Sequence, residues 1–189
     1  EIKELLRNLY DEFNFIRDTL SVSDLREFDK IWLKEEDANY DSSLLNLTKY
    51  LYNYYKKEVV LLIDEYDSPL ITANQRGYYK DSINFFRNFL SLALKTNSNL
   101  KMGMLTGIVQ VAKEGIFSGL NNVITYNILG NDFETFFGLS EEEVENSLKY
   151  FELEYEIEEV KKWYDGYKFG NSEVYNPWSI INYLRTKEL

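Results

Sequence analysis

The stretch VVLLIDEYDSPLI, residues 59–71, decides the fold of this chain. It begins with five β-branched or aliphatic residues in a row, and acidic residues end the run at once. A short apolar run of this kind is typical of a strand that is buried on both faces of a parallel sheet. We therefore expect Asp64 and Glu65 to leave the carboxyl end of a strand, where open α/β sheets bind their ligands.

A second apolar run, residues 100–105, predicts another strand that ends at Thr106. Apolar residues with helical spacing lie between the two runs and predict a long helix, namely Ile83, Phe86, Phe89, Leu90 and Leu94. A strand, a helix and a strand in this order indicate a right-handed parallel crossover, so the sequence predicts the α/β class. We also expect helices at the amino end and a short third strand at Val123–Ile128.

The carboxyl-terminal part of the chain has mainly helical patterns. Ser140 and Glu143 have the spacing of a capping box, which predicts the start of a helix. The aromatic cluster at residues 163–169 predicts a packed corner between helices. The expected organisation is therefore an α/β core with amino-terminal helices in residues 1–130, followed by a helical lid-like region in residues 131–189.

The composition excludes several kinds of chemistry. The 189 residues include 21 basic and 32 acidic residues, a net charge of -11, so nucleic acid is not the expected direct ligand. The sequence has no cysteine and no histidine, which excludes thiolate and imidazole chemistry. Catalysis would therefore depend on carboxylates, hydroxyls, lysine, arginine or a bound metal.

Signals for membrane insertion and secretion are missing from the sequence. No apolar run reaches the roughly 18 residues of a transmembrane helix, and the first residues lack a basic start and an apolar signal core. We expect a soluble, cytoplasmic protein with no membrane partner. The chain also lacks an initiator methionine and starts within a helical pattern, so we expect it to be a fragment of a longer protein.

The strongest candidate site is the acidic pair that follows the first strand. In nucleotide-hydrolysing folds an Asp at the position of Asp64 holds a water on Mg²⁺, and an adjoining acid such as Glu65 can polarise the attacking water. Thr106 ends the neighbouring strand, where a hydroxyl can lie beside a phosphate. The alternatives are structural, because acids often end strands as solvated residues and a Thr before Gly is common in turns.

Five ordered motifs extend along the chain: LLIDEYDSPLI (61–71), LTGIVQVAKEGIFSGLNN (105–122), FFGLSEEEV (136–144), WYDGYKFG (163–170) and VYNPWSIINYL (174–184). Together they resemble the predicted AAA-ATPase-like family of bacterial proteins, and the similarity spans about Tyr40 to Leu184. The resemblance implies a P-loop ATPase domain. In that family this domain is commonly joined to a carboxyl-terminal restriction-like nuclease domain, which is the expected partner in the parent protein.

The resemblance assigns roles to individual residues. It implies that Asp64 is the Walker B metal-site Asp, that Glu65 is the catalytic Glu, and that Thr106 is the nucleotide sensor. Asp67 belongs to the same motif and either faces the metal or caps the turn before the following proline, and we favour the cap. Gln110 stands where family members usually carry Arg, which removes a cation that could face phosphate.

Two further residues, Lys113 and Asn121, lie in the motif after the sensor strand. They could contact nucleotide or a neighbouring domain, and an ordinary capped helix and turn explain them about as well. The P-loop pattern G-x-x-x-x-G-K-[ST] does not occur in residues 1–189. The resemblance therefore implies that Mg²⁺ and ATP bind the intact parent, with an upstream P-loop segment as the missing partner, and that neither binds tightly to this chain alone.

The sequence thus predicts the Walker B and sensor strands of a partial P-loop NTPase-like sheet, taken from a parent that hydrolyses ATP. We expect the fragment to be inactive alone. One alternative is a degenerate module that senses nucleotide or acts as a scaffold without hydrolysis, which Gln110 favours. Another is a metal-dependent nuclease built on Asp64, Glu65 and Asp67, although no E-x-K partner lies beside these acids in the sequence.

Overall fold

The chain divides between Val123 and Ile124 into two units, each with its own buried core. A computed structural model describes residues 2–95, 97–108, 120, 123–153 and 157–187. The assignment of residues 1–130 to an ATPase-like core and of residues 131–189 to a lid stays a prediction.

The first unit contains helices followed by a pair of strands with further helices between them. In chain order the elements are α1 (Ile2–Glu12), a 3-10 helix (Asn14–Thr19), α2 (Val22–Trp32), a 3-10 helix (Tyr40–Ser42), α3 (Ser43–Tyr55), β1 (Val59–Ile63), α4 (Ser68–Gln75), α5 (Tyr79–Leu94) and β2 (Leu100–Leu105). The helices expected at the amino end and between the two apolar runs are therefore present.

The amino-terminal helices supply much of the core of this unit. Tyr10 of α1 and Phe28 of α2 are almost completely buried, and their ring centroids lie 4.8 Å apart. The Tyr10 hydroxyl donates a hydrogen bond of 2.7 Å to the carbonyl oxygen of Ser43, the first residue of α3. Burial raises the pKa of Tyr10 well above its usual value. Through its bond to Ser43, the buried hydroxyl joins α1 to α3.

Strands β1 and β2 pair in parallel, with Val59 opposite Leu100 and Ile63 opposite Leu105. Helices α4 and α5 lie between the two strands in the chain. The predicted α/β class, with two parallel strands separated by helices, is therefore confirmed. Within the described residues this sheet has two strands, and its extension to a P-loop NTPase-like sheet stays a prediction.

Two predictions about this sheet are wrong. Val60 and Leu62 are 46% and 69% exposed, and the facing residues Met102 and Met104 are 51% and 54% exposed. The apolar run is therefore buried on one face only, because alternate side chains point away from the core. The segment Val123–Ile128 forms no strand, since an apolar run becomes a strand only where the fold offers it a partner.

The second unit combines short helices with a small sheet. Its elements are a 3-10 helix (Glu134–Phe136), β3 (Leu139–Ser140), α6 (Glu141–Tyr150), α7 (Ile157–Tyr164), β4 (Asp165–Phe169), β5 (Ser172–Tyr175) and α8 (Pro177–Thr186). The three strands form an antiparallel sheet in the order β3–β5–β4. Its buried core brings together residues of α6, α7, β5 and α8.

This antiparallel sheet corrects the prediction that residues 131–189 form a helical region. The cluster at residues 163–169, expected at a corner between helices, ends α7 and forms β4. Gly170 has a φ of 55°, and together with Asn171 it connects β4 to β5. Gly and Asn favour two-residue hairpin connections because they tolerate positive φ. The Gly-Asn pair is therefore the sequence signal for this hairpin.

Two carboxylates bind the backbone of the second unit. The predicted capping box is confirmed, because Glu143 accepts a hydrogen bond of 2.8 Å from the Ser140 amide while the Ser140 hydroxyl accepts one of 3.3 Å from the Glu143 amide. Glu134 accepts bonds of 2.8 Å from the Asn171 amide and from the Ser172 hydroxyl. These bonds lower the pKa of both carboxyl groups. Both acids therefore have structural roles.

Candidate functional site

Three polar residues follow directly on the ends of the parallel strands. Asp64 and Glu65 come after β1, and Thr106 comes after β2. Because β1 and β2 run in the same direction, the three residues share the carboxyl edge of the sheet. All three are exposed to solvent. We refer to these three residues as the acidic edge.

Asp64 and Thr106 are in direct contact at the acidic edge. The Thr106 hydroxyl donates a hydrogen bond to Oδ1 of Asp64. The same oxygen accepts a bond of 3.0 Å from the backbone amide of Glu65. These two bonds hold the Asp64 carboxylate at the junction of the two strands, although its side chain remains accessible to solvent.

Backbone hydrogen bonds continue just beyond the ends of the two strands at this edge. The amide of Thr106 donates a bond of 2.9 Å to the carbonyl of Ile63, and the amide of Tyr66 donates one of 3.0 Å to the carbonyl of Thr106. Asp64 and Glu65 therefore lie between the two residues, Ile63 and Tyr66, whose backbones bond to Thr106. Glu65 has a φ of 49°, a left-handed conformation that residues other than glycine seldom adopt.

Asp67 differs from the acidic edge because it is only 1% exposed. It occupies the position before α4, but its side chain makes no capping hydrogen bond. Its Oδ2 instead accepts a bond of 3.1 Å from the amide of Ile108, just beyond β2. The favoured capping role is therefore wrong, because this carboxylate joins the segments that follow the two strands. Sequence reasoning missed Ile108, since the partner is a backbone amide and any residue type supplies one.

The donors at the acidic edge suit a magnesium ion that also binds phosphate. Among the described residues, no group of three or more Asp, Glu, His or Cys side chains is arranged to hold a metal. Magnesium is commonly bound by one or two carboxylates, and waters and substrate phosphates complete its coordination. Asp64, with Thr106 beside it, therefore fits the protein side of a shared site.

Three other predicted site residues, Gln110, Lys113 and Asn121, lie outside the residues that the structure describes. Their contribution to nucleotide binding stays a prediction. The metal, catalytic and sensor roles of the acidic edge also stay predictions.

A cleft of about 610 Å³ lies elsewhere in the first unit. Its lining comes from α1, the segment before α3, α4 and α5, and does not include the acidic edge. The volume is within the usual range for small-molecule pockets. The cleft and the acidic edge are therefore separate features of this unit.

The first unit is thus an α/β protein module with carboxylates and a hydroxyl at the carboxyl edge of its parallel strands. The chain belongs to the AAA-ATPase-like family, described as predicted AAA-ATPase, whose family model matches residues 1–117. The match contains the amino-terminal helices, both parallel strands and the acidic edge. The motifs beyond residue 117 lie outside the matched range.

A relative from Azotobacter chroococcum mcd 1, an uncharacterized protein in the vnfD 5' region, is 27% identical to the chain over 133 residues. The alignment covers 70% of this chain but only 26% of the relative. No solved structure matches the chain. In the part of the chain that the structure describes, none of the helices is both long enough and apolar enough to cross a membrane.

Proposed function

We propose that the first unit supplies the metal and water side of a Mg-ATP hydrolysis site, as the Walker B and sensor strands of a P-loop NTPase-like sheet. The observation that carries this proposal is the hydrogen bond between Thr106 and Asp64 at the carboxyl ends of two parallel strands. Membership of the AAA-ATPase-like family supports the same function.

Each residue of the acidic edge has a role that fits its chemistry. Asp64 would hold Mg²⁺, which when bound neutralises charge on the phosphate oxygens. Glu65 polarises the attacking water by accepting its proton, which is the work of a general base. Thr106 orients the Asp64 carboxylate through its hydroxyl and responds to the terminal phosphate.

The phosphates of ATP require a different set of groups, namely backbone amides and a lysine. Residues 1–189 contain no G-x-x-x-x-G-K-[ST] pattern, so we place the P-loop in another part of the intact protein. A cytoplasmic location and coupling to a carboxyl-terminal nuclease domain belong to the same proposal. The 189-residue chain alone is then expected to bind ATP weakly and not to hydrolyse it. Micromolar binding of ATP to this chain in calorimetry would contradict that expectation.

The proposal is tested by Glu65→Gln in the intact protein that carries the P-loop. This substitution keeps the size and polarity of the side chain but removes its ability to accept a proton. ATP hydrolysis should fall by about 100-fold or more, while ATP affinity stays close to the unsubstituted value. The matched control is Glu58→Gln, the same change at an exposed residue just before β1, which should hydrolyse ATP at the original rate.

Two results would decide against the assigned role. Unchanged turnover in Glu65→Gln removes Glu65 from catalysis. Nucleotide-dependent stabilisation of the unsubstituted protein without any release of phosphate would instead identify a sensing module that does not hydrolyse ATP.

A further inference from the structure

The Asp67 side chain connects the two segments that leave the parallel strands. Burial of a carboxylate is costly unless hydrogen bonds compensate it, and Asp67 is 1% exposed. Its bond to the Ile108 amide spans from the start of α4 to the segment just after β2. A buried charge in this position therefore restrains the chain as it leaves β2.

Gly107 shows how closely the Asp67 carboxylate approaches this backbone. A Cβ atom at Gly107 would lie 2.6 Å from Oδ1 of Asp67 and 2.8 Å from Cε1 of Tyr66. Contacts this short are repulsive, so a side chain at residue 107 would displace the carboxylate or the ring. The absence of a side chain at Gly107 thus allows Asp67 to reach the amide of Ile108.

Thr106 lies immediately before Gly107 and Ile108, and hydrogen bonds restrain the backbone on both sides of it. Its amide donates to the carbonyl of Ile63, the last residue of β1, and its carbonyl accepts from the amide of Tyr66. Asp67 holds the amide of Ile108 two residues later. With both sides held, the Thr106 hydroxyl stays within hydrogen-bonding distance of Asp64. Asp67, a buried residue outside the acidic edge, therefore bonds to the same segment that carries Thr106.

We propose that Asp67 is a positioning residue, whose buried carboxylate holds Gly107 and Ile108 so that the Thr106 hydroxyl remains on Asp64. Gly107 is required because only a residue without a side chain leaves room for that carboxylate. The structural part of this proposal concerns the 189-residue chain by itself. Its effect on catalysis rests on the function proposed above.

The structural part is tested by amide hydrogen exchange at Ile108, measured by NMR on the 189-residue chain. Asp67→Ala removes the acceptor, and exchange at Ile108 should become about tenfold faster or more, in line with the strength of a hydrogen bond to a charged group. Asp37→Ala is the control, because it removes an exposed carboxylate paired with Lys30 and should leave exchange at Ile108 unchanged. Unchanged exchange in Asp67→Ala overturns the proposal.

Two further variants keep the test decisive if Asp67→Ala does not fold. Gly107→Ala retains the carboxylate but crowds it, so exchange at Ile108 should also accelerate. Asp67→Asn keeps an acceptor oxygen in a side chain of the same size, and its exchange rate should lie between those of the unsubstituted chain and of Gly107→Ala. If the Ile108 amide exchanges at the original rate in both variants, the proposal is wrong.

The catalytic part is tested by Asp67→Asn in the intact protein. Loss of positioning should lower kcat by about tenfold and leave KM for ATP nearly unchanged, because the substituted residue does not touch substrate. If Asp67→Asn accelerates exchange at Ile108 but leaves kcat unchanged, the proposed link from Asp67 to the acidic edge is wrong. If the intact protein hydrolyses no ATP, the proposed function fails, and the exchange result still decides the structural part.

Discussion

The two faces of the β1–β2 pair are similarly apolar but have different surroundings. On one face Val59, Leu61 and Ile63 pack against the helical core of the first unit. On the other face Val60 and Leu62 are 46% and 69% exposed, and the methionines of β2 that face them are exposed as well. One unbroken run of sequence therefore supplies both a covered face and an open face.

This difference shows that an apolar run predicts that a strand forms. The run does not predict whether the side chains on both faces of the strand are buried. Side chains alternate along a strand, so neighbouring residues meet different surroundings. Parallel sheets are usually covered on both faces. The described residues leave the open face of this sheet uncovered, so substitutions on the two faces should have different costs.

The largest effect is expected for Leu61→Thr on the covered face. Threonine suits a strand but buries less apolar surface and adds a hydroxyl, so the free energy of unfolding should fall by about 2 kcal/mol. Urea unfolding followed by circular dichroism measures the change. A loss below about 0.5 kcal/mol would mean that this face contributes little to stability.

A smaller loss is expected for Gly103→Ala. Gly103 lies opposite Leu61 in β2, and a Cβ atom there would approach Cδ2 of Leu94 to 2.4 Å. Because that atom is the end of a flexible side chain, α5 can adjust, and the cost should be about 1 kcal/mol. The same urea titration checks this value, and an unchanged midpoint would contradict the close contact of β2 with α5.

The smallest effect is expected for Leu62→Thr on the open face. The substitution matches Leu61→Thr in chemistry and differs from it only in position. The free energy of unfolding should change by no more than about 0.5 kcal/mol. If Leu62→Thr costs as much as Leu61→Thr, the face is covered in solution and the comparison of the two faces is wrong.

Local patterns predicted much of the fold. The run at residues 59–63, the helical spacing within α5 and the capping box before α6 each depend on neighbours in the chain. The antiparallel sheet of the second unit was not predicted, because its three strands are short and aromatic residues alone suggested packing between helices. The proposed strand at Val123–Ile128 failed because pairing, and not apolar content, makes a strand.

The candidate site was predicted in part. The pattern of an apolar run followed by acids placed Asp64 and Glu65 at a strand end, and the second run placed Thr106 at the next. The left-handed backbone conformation of Glu65, with a φ of 49°, has no signal in the sequence. The contact of Asp67 with the Ile108 amide was also not predictable, because it depends on the backbone of a distant segment.

The sequence by itself determined the α/β class of the first unit, the acidic character of the strand end and the exclusion of cysteine and histidine chemistry. These properties follow from residue type and from periodicity over a few residues. Only the tertiary structure joined Thr106 to Asp64, which are 42 residues apart in the chain, and Asp67 to Ile108. Such contacts depend on which strands pair and in what register, and that choice is made by the packing of the whole unit.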